Sequence, residues 1–152
     1  MSLGGGFSQT TNDAIEEAVN AGAFIAVAAG NDGADTAGYS PGSAPSACTV
    51  GATNKNDVRS DFSNYGELVD IFAPGEQITS SWIGGPQATK TIDGTSMACP
   101  HVAGLAAYLI GLEGPRSPLD LCKRIQELAL KDVLEDVGEG SPNLLAYNGN
   151  GA

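Results

Sequence analysis

The eight residues AFIAVAAG, Ala23 to Gly30, carry no polar side chain and follow directly on Gly22. A run this short and this apolar reads as a strand buried on both faces, the condition of a parallel strand with helices on either side. The rest of the chain must then supply two covering layers. Just before it, QTTNDAIEEAVNAG reads as a helix: Thr10, Thr11 or Asn12 can cap it, Ala14, Ile15, Ala18 and Val19 form an apolar stripe, and Gly22 stops it. CTVGAT (Cys48 to Thr53), LVDIFAPG (Leu68 to Gly75) and QITSSWI read as further short strands ended by turn residues. A long apolar segment, Met97 to Leu112, and an amphipathic stretch, Pro118 to Leu130, read as helices, and PNLLAYNGNGA as one short ordered piece with a frayed end. The order predicts an α/β unit with a largely parallel sheet. No shift in composition marks a linker, so residues 1–152 read as one domain. MSLGGG has the look of a strand end and its following loop, so the first element is expected to lack its beginning.

Eighteen acids against seven bases give a net charge of −11. That balance argues against nucleic acid and anionic membrane surfaces as partners, because both select basic patches. No apolar stretch reaches the ~20 residues of a membrane span, and the start shows neither the basic flank nor the apolar core of a signal peptide. Three cysteines, Cys48, Cys99 and Cys122, allow one bridge with a free thiol or three free thiols.

GTSMACPH, Gly94 to His101, places a serine at the mouth of the long apolar helix. A serine hydroxyl becomes a nucleophile when a neighbouring base takes its proton. The free N–H groups of a helix N-terminus can in addition hold a developing oxyanion. A serine that merely caps a buried helix fits the same residues. His101 stands five residues on, which turns a helix by ~140° and advances it ~7.5 Å, too far for a shared hydrogen bond. On an apolar helix it reads instead as a satisfied core residue. Lys55, Lys90, Lys123 and Lys131 lie in no apolar context that would lower their pKa. The chain is thus expected to offer Ser96 no base.

SLGGG, AVAAGND, YSPGSAPSACTVGAT, FSNYGELVDIFAPG and DGTSMACPHVAGLAAYL together resemble the subtilisin-like serine proteases, in particular the proteinase K group of secreted fungal and cuticle-degrading enzymes. The resemblance implies a subtilisin-like three-layer α/β fold with a largely parallel sheet, incomplete because the N-terminal part is absent. It implies an extracellular endopeptidase that cleaves protein or peptide through an acyl-enzyme, with broad specificity and an apolar preference before the scissile bond. Ser96 would be the nucleophile, and the Asn31 side-chain amide with the Ser96 N–H would hold the oxyanion. Ser2, Leu3 and Gly4 would pair with substrate backbone as an added strand, with Gly4, Gly5 and Gly6 leaving room. Ala28, Ala29 and Gly30 would line the pocket for the residue before the scissile bond. A structural calcium ion would be held by Asp70 and the carbonyls of Pro45 and Ala47, donors suited to a hard cation. Cys48 and Cys122 would form a disulfide.

Three features depart from the resemblance. Cys99 stands where the family usually has Thr or Ser and reads as a buried thiol, Asp93 adds a negative charge beside the serine, and the loop GGPQATKTI is slightly long. The largest departure is that the family's catalytic Asp and His belong to a part before SLGGG. The expectation is therefore a serine endopeptidase present as a fragment that needs its N-terminal part as partner. The alternative is a truncated, non-catalytic product that keeps a peptide-binding rim.

Overall fold

A computed structural model describes residues 1–150. The last two residues of the predicted frayed end, Gly151 and Ala152, lie outside the described residues. In chain order the elements are β1 (Gly5–Gly6), α1 (Gln9–Asn20), β2 (Ala26–Ala28), a 3-10 turn (Thr36–Gly38), β3 (Tyr39–Ser40), β4 (Cys48–Thr53), β5 (Ile71–Pro74), β6 (Ile78–Ser81), β7 (Thr89–Ile92), α2 (Thr95–Glu113), α3 (Pro118–Leu128), β8 (Leu130–Lys131) and β9 (Leu144–Leu145).

The main sheet runs β2-β4-β5-β9-β8, with β2, β4, β5 and β9 parallel and β8 antiparallel to β9. Alternation along the strands sorts side chains to two layers. Ala26, Ala28, Cys48, Val50, Ala52, Ile71 and Ala73 point to α2 and α3, where they meet Ala98, Val102, Ala106, Leu109, Leu121 and Ile125. Val27 points the other way, onto Ile15 and Val19 of α1. Phe72 closes a third cluster with Ala29, Val69 and Leu134. A strand buried on both faces flanked by helices is what AFIAVAAG demanded, although the hydrogen-bonded part is only Ala26–Ala28.

Several details differ from the sequence reading. Ser8, not Thr10, Thr11 or Asn12, caps α1, because its hydroxyl accepts the Thr11 N–H at 3.3 Å; Ala14 is exposed, and Asn12 is buried in its place. GGPQATKTI is no plain loop: β7 pairs antiparallel with β6 as a hairpin standing apart from the main sheet. The Cys48–Cys122 disulfide is formed and joins β4 to α3, while Cys99 is free and buried. Of the alanines and glycines of α2, only Ala98 and Ala106 are buried, and Ala103, Gly104 and Ala107 are exposed. His101 is likewise exposed rather than in the core.

Candidate active site

Ser96 is the second residue of α2, where the N–H has no intrahelical acceptor. The turn that carries it is tied down from three directions. Gly94 N–H donates to the Gly75 carbonyl at 2.8 Å, and the Asp93 carboxylate accepts the Gln77 N–H at 2.6 Å, so the acid beside the serine is engaged in holding backbone. Fully buried Thr95 donates both its N–H (2.8 Å) and its hydroxyl (2.9 Å) to Asn31 Oδ1, and its hydroxyl also accepts the Gly30 N–H at 3.3 Å. With Oδ1 committed to two donors, the Asn31 amide nitrogen is left for another acceptor.

Gly94 keeps space for that acceptor. It has φ +151°, and a Cβ built on it would lie 3.6 Å from Ser96 N and 3.8 Å from Asn31 Nδ2. A side chain there would stand against both nitrogens. Gly30, at φ +112°, has no such latitude either, since a Cβ would fall 2.2 Å from Asn64 Nδ2. Asn64 is fully buried and braces the loop after β2: its oxygen accepts from Asp32 N–H (2.9 Å) and Ala34 N–H (3.2 Å), and its amide donates to the Ala29 carbonyl (3.0 Å).

Pro100 inside α2 has a local consequence. Lacking an N–H, it leaves the Ser96 carbonyl without its i+4 donor, and the Ser2 hydroxyl donates to that carbonyl at 2.8 Å. The Ser96 hydroxyl in turn makes a long contact, 3.4 Å, to the Ser2 carbonyl. A carbonyl is no base. His101 turns its Nδ1 to the Met97 carbonyl, 2.8 Å away.

A cavity of about 360 Å³ opens beside Ser96. Leu3, Gly4, Gly5, Gly6, Ala28, Ala29, Gly30 and Asn31 line it with Ser96, so the structure brings together every predicted catalytic and substrate-binding residue except Ser2, which touches Ser96 directly. β1 pairs with β3, which carries Tyr39 and Ser40 into the same wall. Those two residues, Gly42, Asp32 and the bracing pair Thr95 and Asn64 went unassigned in the sequence. Their only signal was membership of the blocks YSPGSAPS, AVAAGND, FSNYG and DGTSM. Residues 1–151 match the sequence profile of the Subtilase family.

The chain belongs to the subtilase family. This subtilase is 58% identical over 149 residues to alkaline protease 1 of Aspergillus clavatus and to the cuticle-degrading protease of Metarhizium anisopliae, and 60% identical to alkaline serine protease ver112 of Corniculantispora psalliotae. In each case 98% of the chain is covered, but only 37% or 38% of the relative, its C-terminal part. A crystal structure of a cold-adapted subtilisin-like serine proteinase superposes with a TM-score of 0.93 at 44% identity, covering 97% of this chain and 53% of the other.

Away from the cavity, Asp70 accepts the Thr49 N–H at 2.7 Å and meets Gln126 at 3.3 Å. Burial pushes its carboxyl up to about 6, against the two hydrogen bonds that lower it. Cys48 and Cys122 lie beside it, but their sulfurs are bonded to each other and offer no thiolate. What this place offers a cation is oxygen.

Proposed function

We propose that residues 1–152 form the C-terminal part of one subtilase catalytic domain and carry the nucleophile and oxyanion side of a secreted serine endopeptidase. The observation behind this is that the Ser96 and Asn31 amide nitrogens lie 3.6 and 3.8 Å from one point, the place a Gly94 side chain would take, and that both residues line the adjoining cavity. A peptide laid along Ser2–Gly4 adds a strand to the rim, and its side chain before the scissile bond enters the apolar walls of Ala28, Ala29 and Gly30. A base outside these residues removes the Ser96 hydroxyl proton as Oγ attacks the carbonyl carbon. The resulting oxyanion is held by Ser96 N–H and Asn31 Nδ2, groups fixed before the reaction begins. Collapse expels the amine, which takes the proton from the base, and water then releases the acyl group from Oγ by the same steps. The small lining residues fit broad specificity for apolar side chains.

Asp70 supports a structural calcium site, which the Pro45 and Ala47 carbonyls would complete as the resemblance implies, because a desolvated carboxylate gains most from a hard dication. The ion would brace the turn before β4 and take no part in the reaction.

The test is a covalent hybrid in which these residues replace the matched part of the Metarhizium relative. It should hydrolyse protein, lose the activity with Ser96→Ala, and drop about 10²–10³-fold in kcat with Asn31→Ala. A folded hybrid without activity would sink the proposal and leave the peptide-binding remnant.

A further inference from the structure

Asp93 carries a charge that its hydrogen bond does not need. It joins β7 to the turn that presents Ser96, it is exposed, and its Oδ1 accepts the Gln77 N–H at 2.6 Å. Gln77 has φ +55°, a left-handed conformation that residues with side chains rarely adopt, and the bond to Asp93 holds it there. An asparagine oxygen would accept the same N–H. Nor is the charge neutralised. Among the described residues the ion pairs belong to Arg59, Arg116 and Arg124, while Lys90, on β7 itself, places its Nζ over the Trp82 ring at 4.4 Å from the centroid. Glu76, beside Gln77, adds a second negative charge.

The carboxylate stands close to the reacting atoms of the catalytic reading above. The point that lies 3.6 Å from Ser96 N and 3.8 Å from Asn31 Nδ2 is the Cβ position of Gly94. Asp93 is the residue before Gly94, one Cα step of ~3.8 Å away. In that reading the Ser2–Gly4 rim and the cavity take the segment before the scissile bond, and neither Asp93 nor any residue of the β6–β7 hairpin lines the cavity. What is left for Asp93 to act on is the other segment, the one that departs as the amine.

We propose that Asp93 is a specificity-determining residue that favours a cationic side chain, lysine or arginine, just after the scissile bond and disfavours an acidic one there. The inference rests on the catalytic reading of Ser96 and adds a substrate class to it. A unit charge ~8 Å from the carboxylate, in surroundings between water and a protein surface, gains or loses about two- to thirtyfold in affinity. An exposed carboxylate acts through solvent, so salt at ~1 M, with a screening length of ~3 Å, should remove the preference. The same acid near the positive end of α2 also steadies the helix, an effect that would fall on every substrate alike.

The test uses the covalent hybrid and internally quenched peptides that are identical but for Lys, Gln or Glu after a single phenylalanine, with the cut bond verified by mass spectrometry. At low salt kcat/KM for the Lys peptide should exceed that for the Glu peptide at least about fivefold, with Gln between, and the ratio should approach one at ~1 M salt. Asp93→Asn, which keeps the acceptor for Gln77, should cut the low-salt ratio at least about threefold. Asp132→Asn makes the same change of charge at an exposed position after β8, at the far edge of the main sheet from β2, and should leave the ratio as it was. A ratio near one, a ratio unmoved in Asp93→Asn, a fall shared equally by Asp132→Asn, or a loss equal for all the peptides would each overturn the proposal while leaving the nucleophile in place. A folded hybrid that cuts none of the peptides overturns the catalytic reading, and this proposal with it.

Discussion

Replacing Thr95 by valine keeps the shape of a fully buried side chain and deletes one oxygen. That oxygen donates to Asn31 Oδ1 at 2.9 Å and accepts the Gly30 N–H at 3.3 Å. Two hydrogen bonds at roughly 1 kcal/mol each, plus a partly buried N–H left without an acceptor, come to about 2–3 kcal/mol. In a chain of this size that is a fall of about 5–10 °C in Tm. Urea unfolding should show a lower midpoint with an unchanged slope, since the surface exposed on unfolding is the same. Thr95→Ser keeps the oxygen and loses a methyl group, for about 1 kcal/mol. In the covalent hybrid, Thr95→Val should lower kcat more than it changes KM, by less than the 10²–10³-fold expected of Asn31→Ala, because the Thr95 N–H still holds Oδ1 at 2.8 Å. Valine costing no more than serine would refute the claim that this hydroxyl fixes the Asn31 amide.

Asp70 titrates near 6 in the fold against 3.8 for the free side chain, so its burial costs stability above pH ~6 and the cost fades as pH falls toward ~4. In calcium-free buffer its share of the change is about 3 kcal/mol at most; Asp70→Asn should abolish that share, and millimolar calcium should raise Tm at neutral pH only while Asp70 is present. Removing the Cys48–Cys122 bridge, which spans 74 residues, should lower unfolding free energy by about 4 kcal/mol, read by urea titration of the Cys48→Ala/Cys122→Ala chain. Pro100→Ala should return an N–H to the Ser96 carbonyl, displace the Ser2 hydroxyl, and speed amide exchange at Leu3–Gly6; unchanged exchange there would show that Ser2 does not anchor the rim.

The parallel core was legible because apolar runs such as Ala23–Gly30 and Cys48–Thr53 have few other fates. The boundary errors have physical causes. Ser8 outranks Thr10 and Thr11 as a cap because the Ser40 hydroxyl already holds the Ser8 N–H at 2.9 Å, fixing an extended residue ahead of the helix. β6 was legible in QITSSWI, but its partner β7 was not, because Thr89, Lys90 and Thr91 are exposed and polar, Thr79 meeting Thr91 across the hairpin at 2.7 Å, so no apolar alternation marks it. His101 was misplaced in the core because its apolar neighbours suggested burial. Ser96 and Asn31 could be singled out from short blocks, but Thr95 and Asn64 act through long-range bonds, 64 and about 30 residues along the chain, which spacing does not reveal.

The two halves of the proposed chemistry make different demands on the chain. Oxyanion stabilisation needs donors held still, and the donors on the loop after β2 and at the start of α2 are braced by Thr95, Gly75 and Asn64, all within these residues. Activating the Ser96 hydroxyl needs a group that can take a proton, and the hydroxyl meets a carbonyl instead. That carbonyl belongs to Ser2, on the rim that substrate backbone would pair with, so a bound peptide would compete for the surroundings of the same hydroxyl. The serine can exchange its contact to Ser2 for another acceptor without disturbing Asn31, because the Asn31 oxygen is held by the Thr95 N–H and hydroxyl and not by Ser2, so the oxyanion donors should keep their geometry when that contact is lost.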